Sequence, residues 1–124
     1  FIDAECAWWG DPAFDLAFCL NHLLLKCIWV PKAAAKFISC FNAMTKAYLS
    51  KTPEHYVIEI ETRAANLLPG LFLARIDGKS PVEYITDEFD KNRVRRTART
   101  MLKNPVTKLT SIANQWAEEI GVTI

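Results

Sequence analysis

The sequence lacks internal repeats, low-complexity tracts and long polar linkers, so nothing in it marks a boundary between separate units. Its 124 residues fit one domain, and a chain of that size buries roughly two-thirds of its unfolded surface. We therefore expect one helical domain over residues 1–124. An excess of charge is also lacking. The formal net charge is only +1, which gives no whole-molecule field to attract nucleic acid or an anionic membrane.

The cysteines form no C-x-x-C pair, and no histidine stands at a spacing that would complete a zinc site. All four lie in the first third of the chain, at Cys6, Cys19, Cys27 and Cys40. The sequence also shows no secretory signal pattern. We predict buried, reduced thiols and a cytoplasmic location.

Proline placement predicts where helices begin, because proline is tolerated at the first helical position. Residues that cap helices precede Pro12, Pro81 and Pro105, and Glu83 would complete a capping box. Pro69-Gly70 predicts a helix break. We predict a mainly α fold with a strand over the first four residues and helices over about 12–29, 32–50, 53–68, 71–76, 81–86, 87–103 and 105–120.

The predicted helix over 12–29 is apolar almost all round, which is also typical of a membrane span. However, a charged residue at the centre of a span costs about 2.5–3.5 kcal/mol. This stretch contains Asp15 and Lys26, which share one helical stripe with His22. We therefore predict no membrane span, but a helix buried in protein with one functional or solvated edge.

The basic stripe of Arg95, Arg99 and Lys103 lies on the predicted helix over 87–103. No aromatic residues are interleaved with it to form a stacking platform for single strands. Asp87 and Asp90 stand at pairing distance from Lys91 and Arg93. We predict a solvated, ion-paired face and no nucleic-acid partner.

The opening stretch FIDAECAWWGDPAFDLAF resembles the segment that follows the catalytic loop in aminoglycoside phosphotransferases, choline kinases and methylthioribose kinases. Those enzymes have hydrophobic-Ile-Asp-x-Glu, a short loop, Gly-Asp-Pro, and then Phe or Trp-Asp-Leu-Ala. The later stretch LARIDGKSPVEYI is similar to sequences near the end of bacterial members. The residues that match the first pattern are Asp3, Glu5, Gly10, Asp11, Pro12, Asp15, Leu16 and Ala17.

This resemblance implies the helical C-terminal lobe of a protein-kinase-like fold, in an enzyme that transfers the γ-phosphoryl group of ATP to a small-molecule hydroxyl. Asp3 would bind Mg²⁺, with Glu5 as a second candidate ligand, because this hard cation prefers carboxylates and phosphate oxygens. Asp15 would be a structural clamp that accepts hydrogen bonds from the catalytic loop. Its alternative role is an ordinary acid in a first helical turn. Trp9 and Arg75 are candidates for contacting substrate, with loop packing as the alternative for Trp9.

The resemblance places the catalytic base upstream of Asp3, and the printed sequence holds neither that loop nor a nucleotide-binding lobe. No G-x-x-x-x-G-K-[ST] motif replaces them. We therefore expect this chain alone to be inactive. Its hydrophobic content of 51% predicts apolar surface that another segment or partner covers, and hence self-association of the isolated chain. The alternative function is a non-catalytic helical module that binds a protein partner.

Overall fold

The computed structural model describes residues 9–123, and these residues form a helical bundle. Short 3₁₀ turns, Pro31–Ala33 and Glu54–Tyr56, precede the second and third α-helices. No strand occurs within residues 9–123, which confirms the mainly α class. The strand predicted over the first four residues lies outside the described residues. The helices are α1 (Pro12–Trp29), α2 (Ala34–Ser50), α3 (Val57–Asp77), α4 (Glu88–Lys103) and α5 (Leu109–Ile120).

Helix ends follow the capping chemistry of the sequence in several places. Asp11 accepts a hydrogen bond from the Ala13 backbone N–H at 3.0 Å, and Pro12 occupies the first turn of α1, as predicted. Asp87 caps α4 in the same way through the Phe89 N–H at 2.8 Å. Gly121 ends α5 with a φ of 74°, a left-handed conformation that glycine adopts without steric cost.

The helices run alternately up and down, as the contacts between their ends show. Asp11 before α1 pairs with Arg63 near the start of α3, so these two helices run in the same direction. Asp77 at the end of α3 pairs with Arg95 of α4, and α4 runs in the opposite direction to α3. Near the start of α3, Glu61 meets the first residue of α5. The result is an up-and-down bundle in which α1 packs most extensively on α3.

The core lies between α1, α3 and α5 and is closed by α2 and α4. Trp116 of α5 is fully buried, with its ring edge-on to Phe72 at 4.9 Å between centroids. Its Nε1 donates to the Leu24 carbonyl of α1 at 2.9 Å, which satisfies the indole N–H inside the core. Burying each large apolar side chain contributes about 1.5–3 kcal/mol. In the part of the chain that the structure describes, no helix is long and apolar enough to span a membrane.

The predicted break at Pro69-Gly70, and with it a separate helix over 71–76, is wrong because α3 continues through both residues. A proline inside a helix removes one hydrogen bond and costs about 3 kcal/mol. Here Pro69 is itself buried, and Leu68 and Phe72 on either side of it are fully buried in the core. Burial of this face outweighs the lost hydrogen bond.

Two other predicted helix starts are also wrong. Residues 81–86 form no helix, because backbone and side-chain groups of Arg75 hold this loop instead. The Arg75 carbonyl accepts from the Val82 N–H, and its Nη1 donates to the Ser80 carbonyl, both at 2.8 Å. Asn104 does not begin α5 but ends α4, where its side chain donates to the Thr100 carbonyl.

Two smaller expectations also need correction. Cys27 is buried as predicted, whereas Cys19 and Cys40 are exposed. The predicted pairs Asp87–Lys91 and Asp90–Arg93 are not among the ion pairs of the described residues. The basic face of α4 forms other ion pairs. Arg93 and Arg96 pair with Glu119 of α5, and Arg95 pairs with Asp77 of α3 and with Glu88 of α4 itself.

Candidate functional site

The region that the sequence singles out is the approach to α1 and its first turn. Asp3 and Glu5, the predicted magnesium ligands, lie outside the described residues. Trp9 is the first residue of the motif region that the structure describes, and its side chain is 99% exposed.

Asp11 is the residue that fixes the start of α1. Its Oδ1 accepts from the Ala13 N–H, and the fork of the Arg63 guanidinium donates to both oxygens, at 2.7 Å from Nε and 3.1 Å from Nη2. The Arg63 hydrogen bonds, followed by the Ala13 hydrogen bond, hold the pKa of Asp11 below its usual value. Two helices, α1 and α3, are thus joined at the motif by a charged side chain that also caps one of them.

Asp15 lies one turn into α1 and is exposed. Its carboxylate accepts no hydrogen bond from any residue between 9 and 123. It is therefore available to accept N–H donors from outside the helix, which is what the predicted clamp requires. A carboxylate in a first helical turn also interacts favourably with the helix dipole, so the ordinary structural role fits the same position.

An apolar groove that the sequence did not predict lies beside these carboxylates. Its volume is about 680 Å³. Burial raises the pKa of the Tyr48 hydroxyl in its wall, and the negative charges of Asp15 and Asp11 raise it further. Pro12, the residue after Asp11, is itself part of the lining. The lining residues are Pro12, Met44, Ala47, Tyr48, Lys51, Thr52, Pro53, Tyr56 and Ile60. The signal available in the sequence was the i, i+4 pair of Met44 and Tyr48, which is equally typical of a core face.

The two predicted substrate contacts do not lie together. Trp9 precedes Asp11, which contacts Arg63, and Arg75 lies twelve residues beyond Arg63 on α3. Twelve helical residues span about 18 Å, so Arg75 is at the far end of the α1–α3 pair. Arg75 binds its own loop at Ser80. The structure thus separates these residues into two regions.

Metal-binding capacity is limited in the described residues. No group of three or more His, Cys, Asp or Glu side chains that suits a metal ion occurs within residues 9–123. Asp3 and Glu5, the predicted magnesium ligands, are not among these residues. Comparison with protein-family models, with curated proteins and with solved structures found no match to this chain.

Proposed function

We propose that this chain is the C-terminal helical part of an ATP-dependent kinase that phosphorylates a hydroxyl group of a small molecule. The observation that carries the proposal is the ordered motif Ile-Asp-x-Glu, Gly-Asp-Pro and Phe-Asp-Leu-Ala, which leads directly into a helix. In the described residues that helix starts at Pro12, with Asp11 as its cap and Asp15 in its first turn. The kinase resemblance requires this relation between motif and helix.

In this proposal the roles divide between the motif and the rest of the enzyme. Asp3, with Glu5, would hold a magnesium ion, because carboxylates are the ligands that this cation prefers, and the ion would supply positive charge to the phosphates of ATP. Asp15 holds the backbone of the catalytic loop. The base that activates the substrate hydroxyl belongs to that loop, so the chain by itself transfers no phosphoryl group.

Exposed aromatic side chains on α1 support a further packing partner for this helix. Phe14 and Phe18 are 40% and 39% exposed, and their rings stack at 5.9 Å between centroids. They lie on the same helix as Asp15, which the proposal directs towards the catalytic loop. Aromatic groups of this size are normally covered, because each buries a large apolar area. In the kinase, the catalytic loop and the lobe before it would cover them.

A second candidate function is a helical module that binds a protein partner and catalyses nothing. The groove beside Tyr48 favours it, because the groove is mostly apolar and Tyr56 at its edge is 48% exposed. An apolar groove of this kind suits an apolar side chain of a partner. Catalysis requires the carboxylate of Asp3 as a metal ligand, whereas binding of a partner in the groove does not.

Replacement of Asp3 by Asn in the intact protein separates the two functions. The change removes the ionised ligand and keeps its shape, so magnesium-dependent ATP turnover should fall by about two orders of magnitude or more with little change in melting temperature. Asp90→Asn in α4 is the matched control and should retain activity. Near-normal turnover of Asp3→Asn would exclude Asp3 as the metal ligand. Absence of ATP turnover in the intact wild-type protein would favour the binding module.

A further inference from the structure

Three basic side chains lie on α1 and α3, two helices that pack against each other. His22 and Lys26 come from α1, and Arg75 comes from α3. Burial lowers the pKa of His22, and the positive charges of Arg75 and Lys26 lower it further. Each of the three is only half-buried, so the cluster is reached from the surface.

The loop after α3 completes this cluster with Tyr84. The Tyr84 ring packs against Trp29 of α1 at 4.7 Å between centroids. The Lys26 ammonium lies 4.8 Å from the Trp29 centroid and 5.6 Å from the Tyr84 centroid, so two aromatic faces hold it in place. The cluster therefore has a fixed position built from three separate elements.

Polar atoms in the cluster lack partners within the described residues. The Nε of Arg75 and the hydroxyl of Tyr84 are buried and form no hydrogen bond there. Neither Lys26 nor Arg75 forms an ion pair with any carboxylate between residues 9 and 123, whereas Arg63, Arg93, Arg95 and Arg96 each do. Buried polar groups normally have a partner, so the Arg75 Nε and the Tyr84 hydroxyl are donors that an added acceptor could satisfy.

We propose that His22, Lys26, Arg75 and Tyr84 form a binding site for an oxyanion, the phosphate or carboxylate group of a small organic ligand. An oxyanion placed between the guanidinium and the ammonium accepts charge-assisted hydrogen bonds from both. The Tyr84 hydroxyl, which has no partner in the described residues, supplies a further donor. Trp29, which is 49% exposed, offers apolar surface beside the charges for the rest of the ligand.

This site is distinct from the motif at the start of α1. His22 lies eleven residues beyond Asp11 on the same helix, which is about 16 Å along its axis. The proposal is based on the α1–α3 geometry and the unpaired donors, and it does not require that the protein be a kinase. A failure of the Asp3 experiment would leave it unaffected.

The test is a titration of the full 124-residue chain with inorganic phosphate and, separately, with acetate. The signals of the His22 ring and of the Lys26, Arg75 and Tyr84 amides are followed by NMR at constant ionic strength, with sodium chloride as the control salt. We expect saturable shifts at millimolar oxyanion and a higher pKa for His22 in the bound state, because the anion favours its protonated form. His55, exposed beside Tyr56, is the internal control and should not shift.

Two variants assign the binding to these side chains. Lys26→Met keeps the apolar stem on the aromatic rings and removes the charge, and Arg75→Gln removes the guanidinium. Each should weaken oxyanion binding by about tenfold or more. Lys36→Gln, on the exposed face of α2, should change it less than about twofold. Arg75→Gln also removes the hydrogen bond to the Ser80 carbonyl, so this variant could weaken binding by displacing the loop. Lys26→Met loses no hydrogen bond to the described residues, so it tests the oxyanion contact without that displacement.

The outcomes are distinct for each interpretation. Preference for phosphate over acetate, or the reverse, identifies which oxyanion the site takes, and either result supports the proposal. The proposal would be overturned if sodium chloride produced the same NMR shifts, because that would show non-specific screening. It would also be overturned if Lys26→Met and Lys36→Gln reduced the shifts equally. The absence of any saturable shift with either oxyanion would overturn it as well.

Discussion

The start of α5 depends on a side chain from another helix, and this dependence can be measured. Lys108 precedes α5 and provides no side-chain cap. Instead, Oε2 of Glu61 accepts from the Leu109 N–H at 3.0 Å, and Oε1 lies 3.5 Å from the Lys108 ammonium. Leu109 is fully buried, so water cannot replace this acceptor.

Replacing Glu61 with Ala should therefore lower the free energy of unfolding substantially. A buried N–H left without an acceptor costs about 1–3 kcal/mol, and losing a negative charge at a helix N-terminus adds about 0.3–1 kcal/mol. We expect a loss of about 2–3 kcal/mol. For a chain of this length each kcal/mol lowers the Tm by about 3–6 °C, so the variant should melt about 6–18 °C lower.

Two further variants separate the acceptor from the charge in thermal unfolding followed by circular dichroism. Glu61→Gln keeps an acceptor oxygen and should lose no more than about 1 kcal/mol. Glu59→Ala, at an exposed position on the same helix, should stay within about 0.5 kcal/mol of the wild type. A Glu61→Ala melting temperature equal to that of the wild type would refute the capping role. Equal losses of stability in Glu61→Ala and Glu61→Gln would show that the negative charge, and not the acceptor oxygen, stabilises the start of α5.

Three other predictions concern the motif helix and two glycines. Asp11→Ala should cost about 0.5–2 kcal/mol at neutral pH through loss of the cap. The pKa of Asp11 is lowered in the folded protein, chiefly by Arg63, so the ionised carboxylate stabilises the fold above the unfolded pKa of about 4. This stabilisation is lost as the pH falls through the folded pKa. In strong acid, urea unfolding of the Asp11→Ala variant should therefore match that of the wild type. Asp15→Ala should leave the melting temperature of the isolated chain nearly unchanged but lower that of the intact enzyme by the equivalent of about 1–3 kcal/mol, and equal effects in both would exclude the clamp. Gly70 lies in open space within α3, so Gly70→Ala should stabilise the chain by about 0.5–1 kcal/mol. Gly121 has a positive φ, so Gly121→Ala should destabilise the chain by about 1 kcal/mol. Calorimetry of both variants measures these changes, and a change of opposite sign in either variant would contradict the prediction.

Part of the fold could be predicted from capping and proline chemistry, because these act between neighbours in sequence. The structure confirms the start of α1 at Pro12 on that basis, whereas the helix starts predicted at Pro81 and Pro105 are not observed. The failures came where distant residues decide the local structure. Pro69 stays helical because its face is buried between other helices, and the start of α5 is set by Glu61 from α3. Neither effect is visible in a local window of sequence.

The candidate sites divide in the same way. The motif before α1 is a local pattern, so its resemblance to the kinases could be read from the sequence alone, with Asp3 and Glu5 predicted as metal ligands and Asp15 as a separate structural clamp. The groove beside Tyr48 and the cluster at Lys26 each join residues from different helices, and no spacing along the chain connects them. Arg75 was singled out by resemblance, yet its neighbours His22 and Tyr84 became visible only in the packed structure.

The proline inside α3 affects how the bundle opens. Pro69 has no N–H to donate to the Ala65 carbonyl, so α3 lacks one link in the middle of its hydrogen-bond ladder. The segment beyond this gap carries Arg75, which holds the loop at Ser80. We therefore expect the end of α3 and its loop to open as one unit, separately from the segment before Pro69. Native-state hydrogen exchange should divide α3 at this residue, with faster-exchanging amides on the C-terminal side.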